Sequence, residues 1–135
     1  MTQITNSQRK WHLIDLSQEV YGRALSRAAS LLAGKNKPEY LPNLDQGDYV
    51  VMINADKLNI TGNKLDQKII YKHTGYLGNM KQMTLKKSLE KSASDTIKKS
   101  ISGMLPKNKL LKDRVARLKI YEGQEHPHQN ISFEE

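Results

Sequence analysis

Four short apolar runs along the chain have the length of β-strands. They cover residues 11–16, 49–53, 69–71 and 118–121. The second run is almost continuously apolar, which is typical of a strand buried on both faces. Because these runs are separated by helical patterns, they predict a layered α/β domain. We therefore expect an α/β fold with three layers, α/β/α, around a central, largely parallel sheet of four strands.

Helical spacing of apolar residues appears twice. The first set lies between Tyr21 and Leu32, and Gly34 follows where a helix C-cap belongs. The second set follows two candidate N-caps, Thr84 and Ser94, and its apolar stripe contains Ile97, Ile101, Met104 and Leu105. Lys98 and Lys99 occupy the opposite face of this second helix.

The length of 135 residues is enough for one hydrophobic core. We expect a single domain spanning residues 1–135 with its core at about 11–128, a short flexible N-terminus and a loose acidic tail at 131–135. Trp11 begins an apolar strand and is predicted to anchor the core. The chain has no cysteine, which excludes disulfides and thiolate metal sites. It has neither an apolar run of about 20 residues nor a start typical of a targeting peptide, so no membrane association is expected.

Positive charge is concentrated in the middle of the chain. Residues 64–119 contain 15 Lys and Arg against 4 acidic residues, a net +11, whereas residues 1–63 carry +1 and residues 120–135 carry −4. So much charge of one sign disfavours a compact state by self-repulsion, and a polyanion relieves that repulsion. A phosphate backbone also releases counterions when it binds such a surface. The charge pattern therefore indicates an RNA-binding protein.

Two glycine-bearing segments lie within this basic region, at 72–78 and 103–107. Gly75, Gly78 and Gly103 can adopt positive φ and let backbone amides approach phosphate closely. Tyr76, His73 and His126 are candidates for stacking on unpaired bases or bonding ribose hydroxyls.

Other function classes are less well supported. A small enzyme acting on RNA or a nucleotide needs a recognisable catalytic cluster, but the acidic residues of the basic region fall on no such motif. Residues 61–64 lack the complete phosphate-loop pattern. A DNA-binding module is disfavoured because neither helix-turn-helix spacing nor a zinc-finger pattern is present. His126 and His128 form a poor zinc site, because Glu125 is the one carboxylate near them.

Ten short motifs occur in an order that resembles a known family. They lie at Trp11, Gly22-Arg23, Gly34-Lys35, 45–49, 54–57, 61–64, 71–75, 103–107, 118–123 and 125–128. This series is similar to the bacterial-type large-subunit ribosomal protein thirteen, or L-thirteen, family. The chain departs from the family at Tyr21, where Leu is usual, and at 107–114, where the usual Gly-Arg pair is missing.

The resemblance implies a non-enzymatic α/β/α protein without a cofactor or metal. It implies binding to large-subunit ribosomal RNA, contact with neighbouring large-subunit proteins, and a role in early subunit assembly and translation. It does not imply a small-molecule substrate. The expected location is the cytoplasm of a bacterium, or alternatively an organelle whose own genome encodes the protein.

The basic region and the family motifs together give a set of candidate RNA-binding residues. The set is Arg23, Lys35, Lys37, Lys64, Lys68, Lys72, His73, Thr74, Gly75, Tyr76, Lys81, Lys107, Lys109, Arg114, Arg117, Lys119, His126 and His128. Its cations are expected to neutralise phosphates and so position the protein without reading sequence. For each lysine the alternative is a solvated surface position. Gly22-Arg23 is either a phosphate site at a helix N-terminus or a place where Gly22 permits close packing.

Overall fold

The computed structural model describes residues 9–134 of the chain. We number the strands and helices in chain order. They are β1 (Trp11–Asp15), α1 (Tyr21–Ala33), β2 (Tyr49–Ile53), α2 (Lys64–Gln67), β3 (Ile69–His73), β4 (Met80–Thr84), α3 (Leu85–Lys91), α4 (Ala93–Met104), α5 (Leu111–Ala116) and β5 (Leu118–Ile120). Among the helices of these residues, none has both the length and the apolar character needed to cross a membrane.

Three parallel strands form the central sheet, in the order β1-β2-β5. Trp11 pairs with Tyr49 at the start of β1 and β2, and Val50 pairs with Leu118 at the start of β5. Because β2 lies in the middle, its residues Val50, Val51 and Met52 are completely buried. The predicted α/β fold with a parallel sheet is therefore confirmed, and the buried character of the 49–53 run agrees with its central position.

The hydrophobic core lies on one face of this sheet. Its strand residues include Ile14, Val50 and Met52, and its helix residues come chiefly from α1, with Ile97 and Ile101 from α4. Gly34 ends α1 in the left-handed conformation, with φ of 83°, as the sequence predicted. The described residues thus bury the apolar stripes of α1 and α4 against the same side of the sheet.

On the opposite face of the sheet, where a third layer of helices was predicted, the structure has a cluster of aromatic side chains. Trp11 stacks on Tyr49 with ring centroids 4.4 Å apart, and His128 lies 5.0 Å from the Trp11 ring. Trp11 is therefore half-buried in an aromatic cluster rather than an anchor of the main core. In the expected acidic tail, the Glu134 amide donates to the Trp11 carbonyl and the Glu134 carboxylate pairs with Lys10. The remaining tail residue, 135, and residues 1–8 of the predicted flexible N-terminus lie outside the described part.

The prediction of a four-stranded parallel sheet is wrong within residues 9–134. The run at 69–71 belongs to β3, which pairs antiparallel with β4 in a separate hairpin. Only six residues, 74–79, connect these strands, whereas a parallel pair needs a crossover of about a dozen residues or more. β4 carries no apolar run that predicts a strand, because its residues Met80–Thr84 are mostly polar and exposed.

One of the two predicted helix N-caps differs in the structure. Thr84 caps α3 by accepting a hydrogen bond from the Lys87 amide, as expected. At α4, however, the cap is Ser92, whose side chain accepts from the Asp95 amide at 3.3 Å, instead of Ser94. Gly103 lies inside α4 and does not have positive φ. The segment 107–114 leads into the short helix α5, which the sequence did not predict.

Candidate RNA-binding surface

The turn between β3 and β4, residues 74–79, is exposed along its whole length. Gly75 and Gly78 adopt φ of 92° and 73°, which glycine tolerates without strain. The Gly75 amide donates to Nδ1 of His73 at 2.9 Å, and this bond fixes the imidazole against the turn. Tyr76 is 75% exposed at the tip. The His73 imidazole, the Tyr76 phenol and two glycines at positive φ therefore lie together on one exposed turn, and RNA binding there stays a prediction.

Lysine side chains surround the base and sides of the hairpin. Lys64 and Lys68 lie at the two ends of α2, and Lys72 and Lys81 lie on β3 and β4. All four are exposed. The carbonyl of Lys68 accepts a bond from the Leu85 amide at 2.8 Å, which joins α2 to the start of α3. The fold therefore collects these four cations and the turn into one projecting unit.

A second exposed group lies where α1 meets the end of α4. Lys35 follows the α1 cap and lines a groove with residues 104–106, which precede Lys107 and Lys109. Arg23 is exposed near the start of α1. A Cβ added to Gly22 would meet no atom within 4 Å, so close packing does not explain this glycine. The possibility of a phosphate site at Gly22-Arg23 stays a prediction.

Arg114 and Arg117 lie inside the protein, contrary to their predicted place on the RNA-binding surface. Arg114 is completely buried and Arg117 is only 4% exposed. Arg117 donates to both carboxylate oxygens of Asp45, at 2.5 and 2.6 Å, and to the Leu32 carbonyl at 3.2 Å. Nε of Arg114 lies 3.9 Å from the same carboxylate. Arg117 is thus paired inside the fold, whereas among the described residues Nε and Nη1 of Arg114 have no hydrogen-bond partner. Neither guanidinium group has a free surface for a phosphate.

The neighbouring arginines change the pKa of Asp45. Burial by itself would raise the pKa of the Asp45 carboxyl, but the hydrogen bonds and charge of Arg117 outweigh burial, and the pKa is lowered. The carboxylate therefore remains charged at neutral pH and holds the two arginines in place.

The Lys37 ammonium also binds groups inside the fold. Its ammonium lies 2.7 Å from Asp48 and donates to the Gln46 carbonyl at 2.9 Å. The Asp48 side chain is completely buried and pairs in addition with Nε2 of His12 at 3.0 Å. Burial would raise the pKa of Asp48, but the bonds from Lys37 and His12 overcome that effect and lower it. Lys37 therefore has its main polar partners within the fold.

The turn at 45–48 explains one family motif physically. A Cβ on Gly47 would lie only 1.7 Å from the Leu32 carbonyl oxygen, so only glycine fits there. Asp45 and Asp48 flank this contact and serve as the two internal acidic partners described above. These internal pairings depend on distant residues, so the motif alone did not predict them.

His126 and His128 belong to the aromatic cluster on the second face of the sheet. His128 Nε2 and the Tyr121 hydroxyl form a hydrogen bond of 2.9 Å. The His126 ring packs edge-on against Phe133 with centroids 5.7 Å apart. Both histidines are half-buried, as is Lys119 on the edge strand β5. These three candidates are less accessible than the hairpin residues, and within residues 9–134 no three His, Asp or Glu side chains converge as metal ligands.

Lys91 and Lys99 were missing from the predicted set, although the structure places them beside the hairpin. They line a groove together with Lys72 and Lys81. Nζ of Lys99 donates to the Tyr71 carbonyl at 3.1 Å, which links α4 to β3. The sequence signal was the basic face of the second helix, but nothing in it showed that this face meets the hairpin.

Comparison with known proteins identifies the family. The sequence profile of the family described as Ribosomal protein L13 matches residues 9–127. The chain belongs to the ribosomal protein L13 family. The resemblance drawn from the ordered motifs is therefore confirmed. The L13 family is made of structural, non-enzymatic ribosomal proteins, which also confirms that the chain is not an enzyme.

Curated bacterial L13 proteins are similar along most of the chain. Large ribosomal subunit protein uL13 of Geobacter sulfurreducens is 49% identical over 121 residues, covering 90% of this chain and 85% of the relative. The uL13 proteins of Kocuria rhizophila and Thermotoga petrophila are each 48% identical over 122 residues. These matches cover 90% of this chain and 83% and 82% of those relatives. The similarity thus includes the sheet, the helices and the hairpin.

Proposed function

We propose that this protein is a structural component of the large ribosomal subunit, that it binds large-subunit ribosomal RNA, and that it supports early subunit assembly and translation. Membership of the L13 family supports the assignment. The observation that carries the RNA-binding part is the projecting β3–β4 hairpin, whose exposed turn lies among lysines at 64, 68, 72 and 81. Cations placed in this way bind phosphates, and a shaped turn recognises folded RNA.

The proposed RNA-binding surface has two parts. The first is the hairpin with α2, which presents Lys64, Lys68, Lys72, residues 73–76 and Lys81. The second is the exposed group Lys35, Lys107 and Lys109 near the end of α1, together with Arg23, which is exposed near the start of the same helix. We leave out Arg114, Arg117 and Lys37 because their charges are engaged inside the protein. The half-buried Lys119, His126 and His128 are assigned to the edge of the surface.

The proposal extends to partners and location. Residues 1–135 form one domain, neighbouring proteins of the large subunit contact it, and its site of action is the ribosome in the bacterial cytoplasm. The bacterial origin of the similar uL13 proteins supports this location over an organelle. Mass spectrometry of salt-washed large subunits from the source organism tests both location and stable incorporation.

Salt dependence tests the electrostatic part of the function. If the exposed lysines contact phosphates, the affinity for large-subunit RNA falls steeply as salt rises, with a log–log slope that grows by roughly 0.7–0.9 for each contact. Filter binding across a series of salt concentrations measures this slope. A flat response would rule out phosphate neutralisation as the binding mechanism.

The hairpin turn provides a second test. The double change His73→Ala, Gly75→Val removes the imidazole and its bond to the Gly75 amide, so we expect weaker incorporation into large subunits. The fold should persist because the turn is exposed and a Cβ on Gly75 meets no atom within 4 Å. Gly62→Val is the matched control, since Gly62 also has positive φ and open surroundings. Equal incorporation of the hairpin variant and the control would exclude this turn as a binding site.

A further inference from the structure

A groove runs between the inner face of the β3–β4 hairpin and the helices α3 and α4. Four lysines line it, at 72, 81, 91 and 99, against one acidic residue, Asp95. The volume of the groove is about 190 Å³. Its floor contains the half-buried side chains Ile70 and Met83. The groove is therefore a narrow, concave site with a net charge of +3.

Two of these lysines face each other directly across the hairpin. Lys72 and Lys81 are register partners in the antiparallel pair, so their side chains leave the same face of the two-stranded sheet. Like charges in this position destabilise the pairing. Other side chains are tolerated at exposed strand positions, so the hairpin carries a repulsion that its own fold does not require. An anion seated between the two ammonium groups removes it.

Lys99 strengthens the positive edge of the same groove. Its Nζ is held at 3.1 Å from the Tyr71 carbonyl, which leaves two N–H donors available to another acceptor. Because α4 is packed into the core through Ile97 and Ile101, this ammonium is positioned by a rigid element. The site thus combines a fixed cation with the two on the hairpin.

The outer face of the hairpin has the opposite character. None of the side chains on this face is a lysine or arginine. They form the register pairs Ile69–Thr84, Tyr71–Gln82 and His73–Met80. Ile69, Tyr71 and Met80 are each about half exposed there. Within the two strands the lysines lie only on the inner face. This charge asymmetry places the phosphate contacts of the strands on that face, and His73 on the outer face is left for contacts with bases or ribose.

We propose that this groove binds a single segment of RNA sugar–phosphate backbone, with a phosphodiester group seated between Lys72 and Lys81 and the adjoining phosphates against Lys91 and Lys99. This inference rests on the proposed RNA-binding function and adds a defined site to it. Part of the affinity comes from relief of the cross-strand lysine repulsion. The apolar floor of Ile70 and Met83 lies beneath the backbone segment.

The test compares two double variants with the same total charge. Lys72→Gln, Lys81→Gln neutralises the groove pair, whereas Lys57→Gln, Lys112→Gln neutralises two exposed lysines outside the groove. Each full-length protein is titrated with large-subunit ribosomal RNA over a range of salt. The groove variant should bind at least about tenfold more weakly near 0.1 M salt, and its log–log slope should be lower by about 1.4–1.8. The control should lose clearly less affinity.

Thermal melting of the free proteins gives an independent readout. Removing the like-charge pair should leave the melting temperature of the groove variant unchanged or raise it by about 1–4 °C, while RNA affinity falls. Equal loss of affinity in both variants would overturn the groove site, although RNA binding would stand. A groove variant that melts below wild type would contradict the repulsion on which the site is argued. A wild-type protein that does not bind the RNA would overturn the proposed function and the groove with it.

Discussion

Replacing Asp45 by Asn is expected to destabilise the protein strongly. Asp45 accepts two bonds from Arg117, at 2.5 and 2.6 Å, and its side chain is only 17% exposed. The substitution keeps the size of the side chain but removes its charge. Arg117, which is 4% exposed, and the fully buried Arg114 then lose their shared counter-ion.

The magnitude follows from burial. Removing one partner of a buried ion pair costs about 3–5 kcal/mol, because the remaining charge is left without compensation. Since Asp45 retains some contact with solvent, we expect the lower end, about 3 kcal/mol. For a chain of this length that corresponds to a fall in melting temperature of about 10 °C. Total stabilities of small domains are about 5–15 kcal/mol, so the loss is a large fraction.

Urea denaturation of Asp45→Asn, Arg117→Met and the double variant measures the pair. We expect the double variant to lose less free energy of unfolding than the two single changes together, with a coupling of at least about 1 kcal/mol. An Asp45→Asn loss below about 1 kcal/mol, or additive effects, would refute the structural role. Folded Arg117→Met should bind RNA like wild type. Reduced RNA affinity at unchanged stability would instead restore Arg117 to the RNA-binding surface.

Two further predictions concern the fold. Gly47→Ala should lower the free energy of unfolding by at least about 3 kcal/mol in chemical denaturation, because its Cβ meets the Leu32 carbonyl. The control Gly22→Ala, in the open first turn of α1, should be neutral or stabilising. Equal effects of the two changes would contradict the close approach of Gly47 to Leu32. The pKa values of Asp45 and Asp48 are lowered by folding, so their contribution is present above the unfolded value of about 4 and is lost as pH falls through the folded values. The melting temperature of the wild type should therefore decrease as the pH is lowered below about 4. The decrease should be smaller in Asp45→Asn. A wild-type melting temperature that does not change with acid would refute this.

The sequence by itself determined much of the local structure. The apolar run of β2 predicted its central, buried position, and the spacing in α1 with Gly34 predicted that helix and its end. The ordered motifs predicted the family. These features depend on residues close together in sequence, where periodicity and capping operate.

Only the tertiary structure decided which charges remain free. Lys72 and Arg117 are both positively charged residues of the basic region. Lys72 is exposed on the hairpin, whereas Arg117 is buried against Asp45, which lies 72 residues away in sequence. The meeting of Lys99 with β3 is likewise set by the packing of α4 on the core. Ion pairing and burial depend on contacts between distant segments, and composition or periodicity does not report those contacts. For this reason the sequence indicated a basic RNA-binding protein, and the fold separated its surface cations from its internal ones.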